Sequence, residues 1–208
     1  MRKVLIPAAA LLAVALMLSS RAIADHHEGE AKASIGKPAP EFSLQDQNGK
    51  TVKLSDYKGK VVVLEWFNQG CPYVVRHYKA KTMTSTADKY KGDVVWLAIN
   101  TTAGKSAEDN KTSAEAWSIS YPILTDKTSQ VAQAYGAKTT PHMFVIDKEG
   151  KLVYNGAIDD DSSADGTKGD KATNYVAKAL DEVLAGKPVS TPETKPYGCG
   201  VKYQKKDS

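Results

Sequence analysis

An apolar strand that leads into a cysteine at the start of a helix is the feature that most constrains this chain. Val61–Leu64 is a β-branched, apolar run of the kind that forms a strand buried on both faces. Asn68–Gly70 ends the run, and Cys71 follows with Pro72 directly after it. Proline is favoured at the first position of a helix, because the N–H that it lacks has no partner there. Cys71 is therefore expected at a helix N-terminus, where the helix dipole favours the thiolate and makes the cysteine a candidate nucleophile or redox centre.

The first 24 residues have the pattern of a secretory signal peptide. Met1–Lys3 is positively charged, Val4–Leu18 is an apolar run of 15 residues, and Ala22–Ala24 has the small-residue pattern of a cleavage site. The run is short for a membrane span, which takes about 20 residues; an uncleaved anchor is the alternative. We expect an exported protein, periplasmic or secreted, that meets a membrane only through the signal peptide before cleavage.

The charge of the remaining chain argues against a nucleic-acid partner. The full chain has 28 basic and 24 acidic residues and a net charge of +4. Removing residues 1–24 takes away Arg2, Lys3 and Arg21 and no acid, so the net charge falls to +1. An almost neutral chain does not attract a polyanion. The 184 residues that remain are enough for one α/β domain with a sizeable core.

Hydrophobic patterning predicts alternating strands and helices along the rest of the chain. Asn48-Gly49 is a strong turn signal between two short strands, Phe42–Leu44 and Thr51–Leu54. Further strands are predicted at Val94–Ile99, Met143–Ile146 and Leu152–Ala157, and helices at Tyr73–Tyr90, Thr112–Ser118, Ser129–Tyr135 and Ala172–Leu184. This order predicts an α/β fold with a central mixed sheet and helices on both faces.

The predicted domain spans residues 37–186, between a flexible linker (25–36) and an irregular tail (187–208) that carries Cys199, one of only two cysteines. In an oxidising compartment Cys71 and Cys199 could pair. The pair could be redox-active, or it could be a permanent bridge that closes a loop of about 130 residues and stabilises the fold by about 4–5 kcal/mol. Two unpaired thiols are the third possibility.

Four short motifs resemble the thioredoxin fold and, more narrowly, its redoxin branch. They are Trp66–Val74 around the cysteine, Thr140–Phe144, Gly156–Asp160 and Gly198–Gly200. The redoxin branch groups alkyl hydroperoxide reductase/thiol-specific antioxidant proteins with membrane-facing relatives of thioredoxin. The resemblance covers nearly all of residues 38–203, and it implies a thioredoxin-like fold and a thiol-dependent oxidoreductase.

The resemblance, together with the chemistry of thiol–disulfide exchange, suggests a role for each residue of the site. Cys71 would be the attacking thiol, and Pro141 would have a cis peptide bond and face Cys71, holding an extended substrate by its backbone. Cys199 would be the resolving thiol, because the release of a mixed disulfide needs a second thiol and the chain has no other. Substrate positioning is expected of three neighbouring residues, Thr140, Asn68 and Pro72. No cofactor and no metal are implied.

Two departures from the family pattern leave the reaction open. Thioredoxins have a second cysteine three residues after the first, where this chain has Val74, so Cys71 has no local partner. Peroxiredoxins have Thr and Pro where this chain has Asn68 and Leu64, and they have a distant arginine that polarises the peroxide. The only arginine after the signal peptide, Arg76, lies about 140° round the helix from Cys71. The substrate is thus either a protein thiol or disulfide or, in a peroxiredoxin-like thiol peroxidase, a hydroperoxide.

A non-catalytic copper- or protein-binding module with the same fold is the third possibility. Cleavage after Ala24 would leave an N-terminus Asp25–His27, whose nitrogens could surround Cu(II) or Ni(II). Cys71 and Cys199 together with His142 could also hold copper. We expect neither, because histidines in a polar tail are usually solvated and copper-binding thioredoxin-fold proteins use two cysteines close in sequence.

Two other polar residues near the strand are expected to be structural. Glu65 lies six residues before Cys71, where thioredoxins have a buried acid that accepts a proton. The match is loose because Trp66 is shifted by one position, so we expect an edge or salt-bridged glutamate. His77 lies about 240° round the helix from Cys71 and is expected on the surface or in the core.

The loop Asp159–Asp170 lacks the glutamate that a calcium-binding loop needs at its last position, so it is expected to be a solvated loop.

Overall fold

The structure is a computed structural model, and it describes residues 32–203. The predicted signal peptide, the Asp25–His27 copper motif and residues 204–208 lie outside the described residues. Within residues 32–203, no helix is both long enough and apolar enough to cross a membrane.

Two sheets form in the described part of the chain. The strands are β1 (Ser43–Gln45), β2 (Thr51–Lys53), β3 (Val61–Phe67), β4 (Val94–Asn100), β5 (Ile123–Thr125), β6 (Thr139–Thr140), β7 (Met143–Ile146), β8 (Leu152–Gly156) and β9 (Cys199–Gly200). The main sheet has the order β2-β1-β5-β4-β3-β7-β8, and β6 pairs with β9 in a separate small sheet. β3 is central: it runs parallel to β4 and antiparallel to β7, and all its residues are buried, as the apolar run predicts.

Helices cover both faces of the main sheet. They are α1 (Pro72–Lys79), α2 (Thr82–Lys89), α3 (Ala107–Trp117), α4 (Gln130–Tyr135) and α5 (Tyr175–Leu184). The alternating side chains of β3 enter two separate cores. Val63 and Phe67 pack on the side of α1, α2, α3 and α5, whereas Leu64 and Trp66 pack on the side of α4. The predicted α/β class, with a mixed sheet between helices, is confirmed.

The predicted helix Tyr73–Tyr90 is wrong, because this segment forms two helices. Lys81, between α1 and α2, has a left-handed backbone with a φ of 58°, which ends one helix before the next begins. The helix predicted at Thr112 begins earlier, at Ala107. Ser106 and Asp109 form a capping box there: the Ser106 side chain accepts a hydrogen bond from the N–H of Asp109 (3.2 Å), and the Asp109 carboxylate accepts one from the N–H of Ser106 (2.9 Å).

The described ends of the chain are held to the rest of the domain by backbone hydrogen bonds. At the end of the predicted linker, the N–H of Ala33 donates to the carbonyl of Ala134 (2.8 Å). Beyond α5 the tail lies along β8, where the N–H of Asn155 donates to the carbonyl of Pro192 (2.9 Å). Further along, the tail becomes β9. The tail therefore has one defined path from β8 to β6.

Gly156, the last residue of β8, allows this close approach. A Cβ atom added at Gly156 would lie 2.0 Å from Oγ1 and 2.8 Å from the backbone N of Thr194. The Thr194 hydroxyl accepts a hydrogen bond from the N–H of Ala157 (2.9 Å) and shares another with the Tyr154 hydroxyl (2.6 Å). Thr194 is thus fixed against the sheet, and any side chain at position 156 would displace it.

The substitution Gly156→Ala is expected to lower the free energy of unfolding by about 1–3 kcal/mol, the usual cost of adding a methyl group where the neighbours cannot move freely. Equilibrium urea denaturation measures the change. Gly200→Ala is the matched control, because no atom lies within 4 Å of the Cβ that it would add, and its effect should stay within about 0.5 kcal/mol. Equal effects of the two substitutions would show that the tail does not pack on β8 in solution.

Candidate active site

Cys71 lies where β3 turns into α1. The side chain of Asn68 accepts a hydrogen bond from the N–H of Gly70 (2.8 Å), and its carbonyl accepts one from the N–H of Cys71 (3.0 Å), so Asn68 shapes the turn rather than extending away from it. Cys71 is the N-cap residue of α1, and Pro72 is at the first helical position. The predicted placement of this cysteine at a helix N-terminus is confirmed.

The loop between β6 and β7 faces this sulfur. The Thr140–Pro141 peptide bond is cis, as the resemblance implies. The Sγ of Cys71 lies 2.9 Å from the carbonyl oxygen of Thr140, close enough for the thiol to donate a hydrogen bond. The N–H of Trp66 donates to the carbonyl of His142 (2.9 Å) and ties the same loop to β3. The loop and the cysteine are therefore fixed to each other through the central strand.

The tail brings Cys199 to the same place. β9 runs antiparallel to β6, with Cys199 opposite Thr140 and Gly200 opposite Thr139. Both cysteines are free thiols, and the two side chains share a hydrogen bond. Cys71 is only 1% exposed, and Cys199 is half-buried. The two cysteines, which lie far apart in the sequence, are therefore neighbours in the fold, and Cys199 packs against the core cluster that contains Cys71.

The surroundings separate the acidities of the two thiols. Burial raises the pKa of Cys71, and the contact with the Thr140 carbonyl also favours the thiol, since only S–H can donate to it. Four donors act in the opposite direction: the Thr140 hydroxyl, the Cys199 thiol and the backbone N–H groups of Val74 and Cys199. They outweigh both effects and hold the pKa of Cys71 below its usual value. Burial, the hydrogen bond with Cys71 and its charge raise the pKa of Cys199 to about 11.

Glu65 is not the edge or salt-bridged glutamate that the sequence suggested. It lies in the middle of β3, fully buried, with β4 on one side and β7 on the other. Its carboxylate accepts hydrogen bonds from the Tyr78 hydroxyl (2.9 Å), the Trp96 indole N–H (3.0 Å) and the Tyr121 hydroxyl (3.3 Å). Burial raises its pKa to about 7 against the effect of these three donors. Glu65 lies on the α1 side of the sheet, as Cys71 does, so a titratable acid lies in the core beneath α1.

Neither histidine of the domain faces the sulfurs. His142 donates from Nε2 to the Asn155 side chain (2.7 Å) and accepts at Nδ1 from the N–H of Lys138 (3.1 Å), so both ring nitrogens are occupied. Burial lowers its pKa to about 4. The copper site suggested for His142 with the two cysteines is therefore not formed. Within residues 32–203, no three His, Cys, Asp or Glu side chains converge as metal ligands.

A partly buried polar cluster that the sequence did not predict joins Tyr197 of the tail to the domain. Tyr197 inserts its hydroxyl between Arg76, His77 and Asp159. The guanidinium of Arg76 donates to the Tyr197 hydroxyl (3.1 Å) and to the carbonyl of Ser163 (2.8 Å). Burial and the charge of Arg76 lower the pKa of His77 to about 3, so His77 is neutral. We call these four residues, Arg76, His77, Asp159 and Tyr197, the Tyr197 cluster.

A family model described as the AhpC/TSA family matches residues 35–155, more than half of the chain. The chain belongs to the AhpC/TSA family. The match includes Cys71 and the cis-proline loop and ends before the tail, so it does not cover Cys199. The family that the sequence motifs indicated is thus confirmed, and with it the class of oxidoreductase.

Curated relatives and solved structures agree with this family. The chain is 33% identical over 133 residues to the thiol-disulfide oxidoreductase ResA of Bacillus subtilis. The aligned region covers 60% of this chain and 68% of ResA. A crystal structure of a hypothetical protein from Sinorhizobium meliloti matches with a TM-score of 0.75 and 28% identity, over 84% of this chain and 97% of that one. An uncharacterized conserved protein from Geobacillus kaustophilus matches with a TM-score of 0.72 and 30% identity, over 83% and 94%.

The raised pKa of Glu65 gives the fold a pH dependence that Glu65→Gln should remove. The folded state holds the proton up to a pH of about 7, whereas the ordinary value is 4.5. This stabilising contribution is complete below pH 4.5 and is lost as the pH rises through 7. Between pH 5 and 8 the wild type should lose about 2–3 kcal/mol more unfolding free energy than Glu65→Gln.

Urea denaturation at a series of pH values measures this difference. The amide of glutamine has the shape of the carboxyl group, and the Tyr78 and Tyr121 hydroxyls can rotate to satisfy it, so the variant is expected to fold. The same substitution at the exposed Glu149 is the control and should follow the wild-type profile. Parallel profiles for wild type and Glu65→Gln would contradict the assignment.

Proposed function

We propose that the protein is a thiol–disulfide oxidoreductase in which Cys71 attacks and Cys199 resolves. The observation that carries the proposal is the register of β6 and β9, which sets Cys199 opposite Thr140, while the Thr140 carbonyl lies 2.9 Å from the Cys71 sulfur. A reactive thiol and a second thiol are thereby neighbours beside a cis-proline loop. The similarity to proteins named thiol-disulfide oxidoreductase ResA supports the same reaction class.

The reaction balances with these two thiols and a disulfide. The Cys71 thiolate attacks one sulfur of the substrate disulfide, forms a Cys71–substrate disulfide and expels the other substrate sulfur as a thiolate. The Cys199 thiolate then attacks the Cys71 sulfur, forms the Cys71–Cys199 disulfide and expels the second substrate thiolate. The substrate gains two electrons and the protein loses two. A dithiol reductant must return the protein to its starting state.

The two pKa shifts order the steps. Cys71 is the more acidic thiol, so it is ionised first and attacks first. Cys199 keeps its proton while the negative charge of Cys71 is beside it. Once Cys71 is part of a mixed disulfide, that charge and that hydrogen bond are gone, and the pKa of Cys199 falls. The second thiol therefore becomes a nucleophile only when there is a mixed disulfide to resolve.

A thiol peroxidase is the second candidate, and the burial of Cys71 favours it. A small hydroperoxide can reach a sulfur that is 1% exposed with less displacement of the tail than a protein disulfide needs. Cys71 would become a sulfenic acid as the O–O bond breaks, and Cys199 would condense with it and release water. Arg76 is not available to polarise the peroxide, because its guanidinium already donates to Tyr197, Ser163 and Asp161. Hydrogen peroxide consumption no faster than that of free cysteine, together with reduction of insulin, would decide for disulfide exchange.

We further propose that the protein works outside the cytoplasm, as a mature chain that begins at Asp25. The signal-peptide pattern of residues 1–24 supports this location. N-terminal sequencing of the protein recovered from an envelope or medium fraction tests the proposal. A chain that still begins at Met1 and stays in the cytoplasm would contradict it.

The variant Cys199→Ser is expected to stop at the mixed disulfide, because no second thiol can release the substrate. Insulin reduction should fall to background while one insulin-derived adduct per chain accumulates on Cys71. Intact-mass spectrometry after acid quenching, followed by peptide mapping, measures the adduct. Cys71→Ser is the control: insulin reduction should again fall to background, and any slow adduct should map to Cys199. Adducts that form first on Cys199, or full turnover without it, would refute the assignment.

A further inference from the structure

The backbone edge beside Cys71 is occupied by the tail of the same chain. β9 pairs with the β6 strand that leads into the cis-proline loop, and the N–H of Val201 extends this pairing by donating to the carbonyl of Lys138 (3.1 Å). Extended peptides dock on sheet edges through main-chain hydrogen bonds of this kind. The tail therefore shows how a cysteine-bearing strand fits here, with its sulfur next to the sulfur of Cys71.

The fit imposes a requirement on the residue before the cysteine. Gly198 has a φ of 125°, and a Cβ atom added to it would lie 2.1 Å from the carbonyl oxygen of Thr140 and 3.3 Å from Cδ of Pro141. At Gly200, after the cysteine, a Cβ atom would meet nothing within 4 Å. A strand in this position thus needs glycine before its cysteine and accepts a side chain after it.

The Tyr197 cluster holds the strand in place. The Tyr197 hydroxyl donates to the Asp159 carboxylate, accepts from Arg76 and hydrogen-bonds to Nε2 of His77 (3.0 Å). Tyr197 is two residues before Cys199, and the three partners belong to the domain. The position of Cys199 therefore depends on one phenol that leaves the tail and enters a buried polar site.

The tail can release Cys199 without leaving the domain altogether. Thr194 is fixed against β8, as described above, and Cys199 lies five positions further along the chain. Five steps of extended chain span about 17 Å. We call residues 195–203 the tip. Three sets of contacts must break before the tip is released: the Tyr197 hydrogen bonds, the β6–β9 pairing, and the hydrogen bond from the Tyr203 hydroxyl to the Ala137 carbonyl.

We propose that the tip is an intramolecular occupant of a polypeptide-binding edge at β6. An extended polypeptide whose disulfide cysteine follows a glycine reaches Cys71 by displacing the tip, and the tip returns to resolve the mixed disulfide through Cys199. Tyr197 is the positioning residue that sets the balance between occupation of the β6 edge by the tip and by the substrate polypeptide. The inference rests on the proposed thiol–disulfide exchange and adds its substrate class and the control of access.

The first experiment measures how fast Cys71 reacts with a peptide when the tip is loosened. The probe copies residues 195–202, Lys-Pro-Tyr-Gly-Cys-Gly-Val-Lys, with its cysteine joined by a disulfide to nitrothiobenzoate, and the full chain carries Cys199→Ser. Attack on the peptide sulfur releases the coloured nitrothiobenzoate. Adding Tyr197→Phe or Gly198→Ala should raise the rate about tenfold or more, because the tip loses a hydrogen bond to a charged group or collides with Thr140.

Matched controls separate this effect from general damage. Gly200→Ala should stay within about twofold of the parent, since the added methyl group meets no atom. A probe with alanine in place of the glycine before its cysteine should react more slowly with every variant. Equal rates for Gly198→Ala and Gly200→Ala, or for the two probes, would overturn the inference.

The second experiment needs no variant that loosens the tip. In the Cys199→Ser protein, Cys71 is joined either to the peptide probe or to a methylthio group, and hydrogen exchange of the Val201 amide is followed. The peptide adduct should speed this exchange about tenfold or more, because the amide loses its bond to Lys138. The methylthio adduct, which is too small to occupy the β6 edge, should leave it protected.

The outcomes distinguish the inference from the function on which it rests. If Cys71 reacts with neither the peptide nor the methylthio reagent, the proposed function is refuted and the inference with it. If Cys71 reacts but the Val201 amide exchanges equally in the two adducts, exchange chemistry stands and the tip is not a competitor for the β6 edge. Slow exchange in the methylthio adduct and fast exchange in the peptide adduct support the inference.

Discussion

The pairing of β6 with β9 is the interaction on which the site depends. Thr140 is its centre: its carbonyl oxygen lies 2.9 Å from the Cys71 sulfur, and its register partner is Cys199, 59 residues further along the chain. The two sulfurs are far apart in the sequence, and only the fold brings them together. The pairing brings the two thiols together, and their contact helps to lower the pKa of Cys71 and to raise the pKa of Cys199.

A thiol pair of this kind differs physically from two cysteines on one helix turn. In a local pair the helix itself fixes the distance between the sulfurs, so the pair survives small changes in the rest of the fold. Here Val74 occupies the local position, and the second sulfur comes from a tail anchored by Thr194 and Tyr197. The effective concentration of Cys199 at Cys71 is therefore set by tertiary contacts. A bound substrate can break or change such contacts, whereas it cannot change the spacing that a helix imposes.

The sequence predicted those parts of the site that local chemistry decides. The buried strand, the cysteine at the helix N-terminus and the proline after it were foreseen because each depends on a few adjacent residues. Glu65 was misplaced, because neighbouring residues do not show that a glutamate in a central strand meets Tyr78, Trp96 and Tyr121. The two-residue strand β9 was missed for a similar reason. It has no hydrophobic periodicity, and its partner β6 is equally short, so only the three-dimensional fold shows the pairing.

Cys71 is buried and Cys199 packs beside it, so in the proposed exchange proximity and access oppose each other. In that reaction, a tail held as firmly as the core would form the disulfide fast and admit no substrate, whereas a free tail would admit substrate and leave the mixed disulfide unresolved. Segments of a folded protein open locally with free energies anywhere from near zero to the global stability. The tail packs on β8 at Thr194, and the tip beyond it is held by the Tyr197 contacts, the β6–β9 pairing and the Tyr203 contact. The proposed exchange requires that the tip opens at a cost below that of unfolding the domain. In the proposed exchange, the Tyr197 contacts and the β6–β9 pairing together set the compromise between the two requirements.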